Sequence, residues 1–142
     1  IEKNIFFHKY RKILNLFPNL ECRVLGILPH KQIKEEYMKF KPSLFINLSS
    51  SEGVPVSIME AFSFGIPVIA TDVGGTSEIV NNSVGSLVDA KVDNKKIKNE
   101  IERLIQSREK YSLSAYSRWK DLCNSEYNYN KHYNFLNEVI ND

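Results

Sequence analysis

Two short apolar runs, each followed at once by a polar turn, constrain the fold of this chain more than any other feature. The first covers residues 44–48 and leads into three serines, and the second covers residues 67–70 and leads into an Asp-Val-Gly-Gly turn. Short apolar runs of this kind are typical of strands covered on both faces. Between them lies a helical pattern that begins at Pro55, a residue favoured at the first helical position. Strand, helix and strand in this order predict two parallel strands joined by a right-handed crossover.

The helix between the two runs is expected to end at Gly65, where a left-handed C-terminal cap is favoured. Its side chains expected to face the core are Val56, Met59, Ala61 and Phe64. Similar patterns predict helices at residues 8–17, 32–40, 111–122 and 129–139, one more helix after a cap at Asp93 or Asn94, short strands at 22–25 and 86–88, and a helical turn at 77–80. Alternating elements of this kind predict the α/β class: a single Rossmann-like lobe over residues 1–142, with a parallel sheet, helices on both faces and a helical C-terminal tail.

Composition excludes several classes of protein. A hydrophobic content of 42% with 25% charged residues is that of a folded protein and not of a disordered one. A formal net charge of +2 does not call for a nucleic-acid partner. Cys22 and Cys123 are far apart and have no histidine cluster beside them, so no zinc site is expected. Because the chain opens at Ile1 without a methionine, we expect it to be part of a longer protein.

The turn at residues 49–57 is the candidate ligand site. The first main-chain N–H groups of a helix have no partner within the helix, and the helix dipole adds partial positive charge there. Such an end can bind a phosphate without any basic side chain. Gly53 allows a ligand to approach the main chain closely, and Pro55 has no N–H to offer. The available donors are the N–H groups of Gly53, Val54, Val56 and Ser57.

Two acids, Glu52 and Glu60, flank these donors. A carboxylate accepts two hydrogen bonds and therefore suits the vicinal hydroxyls of a sugar ring. In the alternative interpretation, Glu52 is a solvated acid favoured by the helix dipole and Glu60 is a surface residue. Glu60, however, lies in an apolar helix, where a carboxylate needs a partner. The two acids and the amides together predict a binding site for a sugar, a phosphate and a ribose.

The segment SSSEGVPVSIMEAFSFGIPVIATDVGGTSEIV resembles the signature of the retaining GT-B glycosyltransferases of group 1 (family 4 type). This large family includes many bacterial polysaccharide and lipopolysaccharide transferases. Its C-terminal lobe carries two acids separated by seven residues, then A-x-x-x-G-x-P-V-I-A and G-G-x-x-E segments. These occur here in the same order, as Glu52 and Glu60, residues 61–70 and residues 74–78.

The resemblance implies a role for each matching residue. Glu52 would face the hydroxyls of the donor sugar near the reacting carbon, in a positioning and not a covalent role in catalysis. Glu60 would bind the ribose diol, and the amides of residues 53–56 would hold the diphosphate. Leu28, in the turn at residues 27–29, would line the nucleobase pocket. Gly74, Gly75 and Glu78 would shape the wall of the cleft or, in the simpler alternative, only form a turn and a cap.

The chain also departs from the family pattern. Nothing before Val24 matches the basic pair that neutralises the leaving diphosphate, and the N-terminal lobe that carries the acceptor site is missing. Many members also have glycine where Pro55 stands. We therefore expect the C-terminal, nucleotide-sugar-binding half of a GT-B fold, which binds its donor weakly when alone and transfers nothing.

In the longer protein, the resemblance implies transfer of a hexose-type sugar from a nucleoside diphosphate to a sugar or lipid-linked hydroxyl acceptor, in polysaccharide, lipopolysaccharide or glycolipid synthesis. No metal or other cofactor is expected, and no nucleic acid. The expected location is the cytoplasm or the inner face of the membrane, with any membrane contact made outside this lobe. Two alternatives stay open: the lobe of a GT-B nucleotide-sugar epimerase, and a non-catalytic binding or assembly module.

Overall fold

A computed structural model describes residues 23–141 of the chain, with the side chains of residues 23–140. The predictions for residues 1–22, including the helix at 8–17, lie outside the described residues. Two compact units, Ile1–Ile33 and Lys34–Asp142, divide the chain, and each is described by itself.

The described part of the first unit corrects one prediction. Residues 23–25 belong to no strand, although a strand was expected at 22–25. Val24 and Leu25 are both exposed, and no other described segment pairs with them. A β-favouring sequence without a partner strand stays irregular, because the strand is stabilised by cross-strand pairs. Helix α1, His30–Phe40, begins in this unit and ends in the second.

A parallel three-stranded sheet lies at the centre of the second unit. Its strands are β1 (Phe45–Asn47), β2 (Val68–Thr71) and β3 (Gly85–Val88), in that spatial order. Ile46 pairs with Ile69, and Ile69 with Ser86, so the central strand is β2. Parallel strands joined by helical crossovers confirm the predicted α/β, Rossmann-like class.

Helices cover both faces of the sheet, as predicted. The helices that follow α1 are α2 (Val56–Ser63), the short α3 (Thr76–Ile79), α4 (Asn94–Gln106), α5 (Arg108–Leu122) and α6 (Ser125–Asn141). On one face Val68 packs in a cluster with Phe62 of α2 and Ala115 of α5. On the other face Ile69 packs with Leu104 of α4. Fully burying a side chain as large as Phe62 contributes about 1.5–3 kcal/mol.

Strand β1 is less covered than its sequence predicts. The side chain of Ile46 is 41% exposed, and Leu48, just beyond the strand, is also exposed. The reason is its position, because β1 is an edge strand of the described sheet. The prediction that both of its faces are covered is therefore wrong.

The C-terminal end of α2 agrees with its sequence signal, and the N-terminal end lies one residue later than predicted. Pro55 is the N-cap residue, with extended φ and ψ of −73° and 107°. At the other end Gly65 has a φ of +65°, its N–H donates to the Phe62 carbonyl, and the Ile66 N–H donates to the Ala61 carbonyl. This is the paired hydrogen-bond pattern of a Schellman cap.

The buried face of α2 differs from the prediction in three residues. Val56 was expected to pack in the core but is 61% exposed, whereas Ile58 and Phe62, which were not predicted, are fully buried. The helix presents residues 58, 61 and 62 to the core. Val56 therefore lies at the open end of the helix, beside the candidate site.

Candidate functional site

Asn47, the last residue of β1, organises the turn that follows it. Its side-chain oxygen accepts hydrogen bonds from the N–H and the hydroxyl of Ser49, at 3.2 and 2.6 Å. Its side-chain nitrogen donates to Glu52 Oε1 at 3.0 Å. An asparagine that bonds the main chain two residues onward forms a turn by itself. The single polar residue of the first apolar run thus fixes both the turn and the first acid.

These contacts stabilise the ionised form of Glu52. Polar interaction with the Ser49 side chain, and next with that of Asn47, lowers the pKa of the Glu52 carboxyl below its usual range, although partial burial opposes the shift. Hydrogen bonds to the charged form of an acid favour that form. Glu52 is therefore an anion at neutral pH, able to accept hydrogen bonds from a ligand but not to donate one.

The end of β2 holds the same turn from a second side. The Thr71 hydroxyl donates to the Ser49 carbonyl at 2.5 Å. Asn47 pairs with Ala70 in the sheet, so Thr71, the last residue of β2, lies near the turn that follows Asn47. Thr71 was not among the predicted site residues.

The two glycines after β2 lie directly against the Glu52-Gly53-Val54 segment. Gly74 has a φ of +53° and faces the Glu52 carbonyl with no room for a side chain. The Gly75 N–H donates to the Gly53 carbonyl at 2.9 Å. A residue with positive φ and no side chain is what this close approach requires. The Gly-Gly segment thus supports the turn from behind.

This support leaves the front of the turn open. Gly53 is exposed, and the side chain of Val54 is 42% exposed. Among residues 23–141, none accepts a hydrogen bond from the four N–H groups predicted as donors. Those groups belong to Gly53, Val54, Val56 and Ser57. The structure brings Gly53 and Val54 together with the Gly-Gly segment and places Val56 and Ser57 in the first turn of α2.

Glu60 lies farther along α2, and its Oε1 atom is shielded from solvent. It is close enough to Tyr37 for its charge to act there. Burial, and next the charge of Glu60, raise the pKa of the Tyr37 hydroxyl above its usual value. The Tyr37 ring packs at 5.3 Å from the Phe64 ring, measured between centroids. Glu60 is thus a partly buried acid beside a tyrosine and not a fully solvated surface residue.

Two further predicted residues are Leu28 and Glu78. Leu28 belongs to the other compact unit, and its side chain is half-buried. Glu78 is in α3, and its carbonyl accepts a hydrogen bond from Arg118 of α5 at 2.9 Å. Arg118 also donates to the Ile79 carbonyl, so it caps the short helix that follows the Gly-Gly segment.

Sequence reasoning missed four residues that position this site: Asn47, Thr71, Tyr37 and Arg118. A signal existed for Asn47, the only polar residue in its apolar run. The other three depend on contacts between segments that are distant in sequence.

Fold and site geometry together define a Rossmann-like α/β protein with an open main-chain donor turn at the carboxyl ends of its parallel strands, where ligands of such sheets bind. The family model described as "Glycosyl transferases group 1" matches residues 6–118. The chain therefore belongs to the group 1 glycosyltransferases.

Two similar proteins are named as a glycosyltransferase and as a subunit of one. Over 95 residues, or 67% of this chain, it is 31% identical to the O-antigen biosynthesis glycosyltransferase WbnH of Escherichia coli. Over 134 residues, or 92% of the chain, it is 26% identical to the GtfA subunit of the UDP-N-acetylglucosamine–peptide N-acetylglucosaminyltransferase of Streptococcus parasanguinis. The chain spans 27% and 25% of the lengths of these two relatives.

A solved structure supports the fold. Sucrose-phosphate synthase from Thermosynechococcus elongatus superposes with a TM-score of 0.73 at 20% identity, over 98% of this chain and 35% of that one. This likeness confirms the expected GT-B type of architecture. Within residues 23–141, no helix is both long and apolar enough to cross a membrane.

Proposed function

We propose that this chain is the donor-binding part of a glycosyltransferase, which transfers a sugar from a nucleoside diphosphate to a hydroxyl acceptor and retains the anomeric configuration. One observation carries the proposal. The turn after β1 is held by Asn47, Thr71 and the Gly-Gly segment so that its N–H groups point to no acceptor in the described structure. A fixed set of main-chain donors at a helix N-terminus suits a diphosphate.

Each part of the donor has a matching group. The diphosphate would accept hydrogen bonds from the N–H groups of residues 53–57. Glu52, held as an anion, would accept hydrogen bonds from the sugar hydroxyls and so orient the reacting carbon. Glu60 would bind the ribose, and Leu28 would line the base. Positioning of this kind accelerates transfer because the reacting groups are already held close together in the orientation that the reaction needs.

The reaction also needs cations beside the leaving diphosphate, where negative charge develops. Within the described residues, no lysine or arginine bonds to the turn at residues 49–57. We therefore propose that the chain alone binds its donor weakly and does not turn it over. Another part of a longer protein would supply the cations and the acceptor site, and no metal or other cofactor would take part.

The names of the relatives suggest the biological setting. WbnH is named for O-antigen biosynthesis. We propose a hexose-type donor and a sugar or lipid-linked acceptor in bacterial polysaccharide or glycolipid synthesis, on the cytoplasmic side of the membrane. No nucleic acid takes part.

The test is calorimetric titration of the 142-residue chain with the diphosphates of uridine, guanosine and adenosine, followed by NMR to locate the bound nucleotide. We expect weak heat with one of the three and shifts in the amide signals of Gly53 and Gly75. Absence of heat with all three would favour a non-catalytic module. For the longer protein, release of a free sugar epimer without consumption of an acceptor would favour an epimerase instead.

A further inference from the structure

A cavity lies at the end of the sheet where the strands begin, opposite to the candidate donor site at the end where they finish. It has a volume of about 440 Å³ and is lined by Pro42 and Ile66, which precede β1 and β2, and by residues of α1 and α5. The donor turn follows the ends of the same strands. The two sites are therefore separated by the length of the sheet, and the proposed function uses no residue of this cavity except Tyr37, through its proximity to Glu60.

Two basic side chains line the cavity. Lys41 and Arg108 both line it, and no acidic residue does. Neither cation forms an ion pair within residues 23–141. Glu109 borders an adjoining cavity together with Arg108. Two cations that line one cavity and form no ion pair attract an anion.

The main chain at Lys41 is held in an unusual conformation. Its φ is +44°, and no other residue except glycine has a positive φ in the described part of the chain. Its N–H donates to the Tyr37 carbonyl at 2.9 Å, so it closes the last turn of α1 where glycine is usually found. Glycine is favoured at such a position, so a lysine there is a candidate for a functional role, and Lys41 lines the cavity.

The other lining groups combine hydroxyls with apolar surface. Tyr37 and Ser112 carry hydroxyls, while Phe64 and Ile66 provide apolar walls. An adjoining cavity shares Ser112 and extends along α5 to Leu113, which is 76% exposed, and to Tyr116. The ammonium of Lys120 lies 4.8 Å from the Tyr116 ring centroid. Cations next to exposed apolar side chains suit a ligand that joins an anionic group to an apolar one.

We propose that this cavity is a second binding site, which takes a phosphate ester attached to an apolar group. Lys41 and Arg108 hold the phosphate, and the apolar surface at Phe64 and Leu113 holds the remainder. The phosphate can belong to a soluble ester or to the headgroup of an anionic lipid. In the second case this lobe itself contacts the membrane, contrary to the expectation from the sequence.

The test uses the 142-residue chain labelled with ¹⁵N and titrated with inorganic phosphate. We expect saturable shifts of the amide signals of Gly65 and Ser112, separate from shifts at Gly53 and Gly75 that report on the donor site. In the double variant Lys41→Gly/Arg108→Gln, the apparent Kd from the Gly65 and Ser112 signals should rise about tenfold. Lys41→Gly alone should not lower the Tm, because glycine relieves the positive φ, so lost binding cannot be ascribed to misfolding.

Vesicles distinguish the two sources of the phosphate. Cosedimentation with phosphatidylglycerol–phosphatidylcholine vesicles that is lost in the double variant, but kept in the matched variant Lys91→Gln/Lys95→Gln, would identify a lipid headgroup. Phosphate binding without cosedimentation would identify a soluble ester. Shifts confined to Gly53 and Gly75, or unchanged binding in the Lys41→Gly/Arg108→Gln variant, would overturn the proposal.

Discussion

A β-carbon on Gly74 would lie 1.7 Å from the carbonyl oxygen of Glu52, a distance that no pair of such atoms can occupy. The turn that carries the first acid and the main-chain donors therefore rests directly on the Gly-Gly segment after the next strand. Residues 22 positions apart in sequence thus form one structural unit. The two glycines of the G-G-x-x-E segment support the site through main-chain contact, without side chains of their own.

Replacing Gly74 by alanine should disrupt this unit. The variant cannot keep both the +53° φ and the contact with Glu52, so we expect a loss of about 2–3 kcal/mol in the free energy of unfolding, measured by urea denaturation. Gly53→Ala is the matched control, because a β-carbon at that position meets no atom within 4 Å. Equal stability of the two variants would show that the turn can move away from Gly74 at little cost.

The two acids should contribute differently to nucleotide binding. If Glu60 binds the ribose and Glu52 faces the sugar, Glu60→Ala should weaken binding of a nucleoside diphosphate by about tenfold, as expected for a hydrogen bond to a charged group. Glu52→Ala should have a smaller effect on the same ligand, measured by calorimetry. Glu138→Ala, which removes an exposed acid from α6, serves as the control. The reverse order of Glu52 and Glu60 would mean that their roles are exchanged.

The hydrogen bonds to Glu52 should stabilise the fold in a pH-dependent way. Because the pKa of Glu52 is lower in the folded chain, its contribution is present above the usual glutamate pKa of about 4.3 and is lost as the pH falls through the folded value. In Asn47→Ala the hydrogen bond from the Asn47 amide is missing, so the pKa of Glu52 should move back toward the usual value. NMR titration of the Glu52 carboxyl carbon measures this shift. An unchanged pKa in Asn47→Ala would show that the Asn47 amide does not lower it.

The sequence predicts what local signals determine. Pro55 and Gly65 mark the ends of α2 because each restricts or frees the main chain at its own position. Strand β2 is fully buried, as its apolar run predicts. Predictions failed where the outcome depends on a distant partner. Residues 23–25 have the composition of a strand but no partner among the described residues, and β1 is exposed because it lies at an edge.

The same distinction applies to the candidate site. The turn and its donors follow from a contiguous motif and could be proposed from the sequence. The hydrogen bond from the Thr71 hydroxyl to the Ser49 carbonyl could not be predicted from the sequence. It requires that Asn47 pair with Ala70, and the pairing register is a property of the whole sheet. The effect of Glu60 on Tyr37 likewise depends on how α1 packs against α2.

Arg118 provides a test of how far the support of the site extends. Its guanidinium donates to the carbonyls of Glu78 and Ile79, at 2.9 and 3.2 Å, and so ties α5 to the end of α3. Arg118→Met should remove both charged hydrogen bonds and lower the free energy of unfolding by about 1–3 kcal/mol, measured by urea denaturation. Amide exchange at residues 76–80 should accelerate, since the last carbonyls of α3 lose their partners. Arg118→Lys keeps the charge but lacks the planar set of guanidinium N–H donors, so it should recover only part of the stability. Full recovery by lysine would show that charge at the helix end matters and the two directed hydrogen bonds do not.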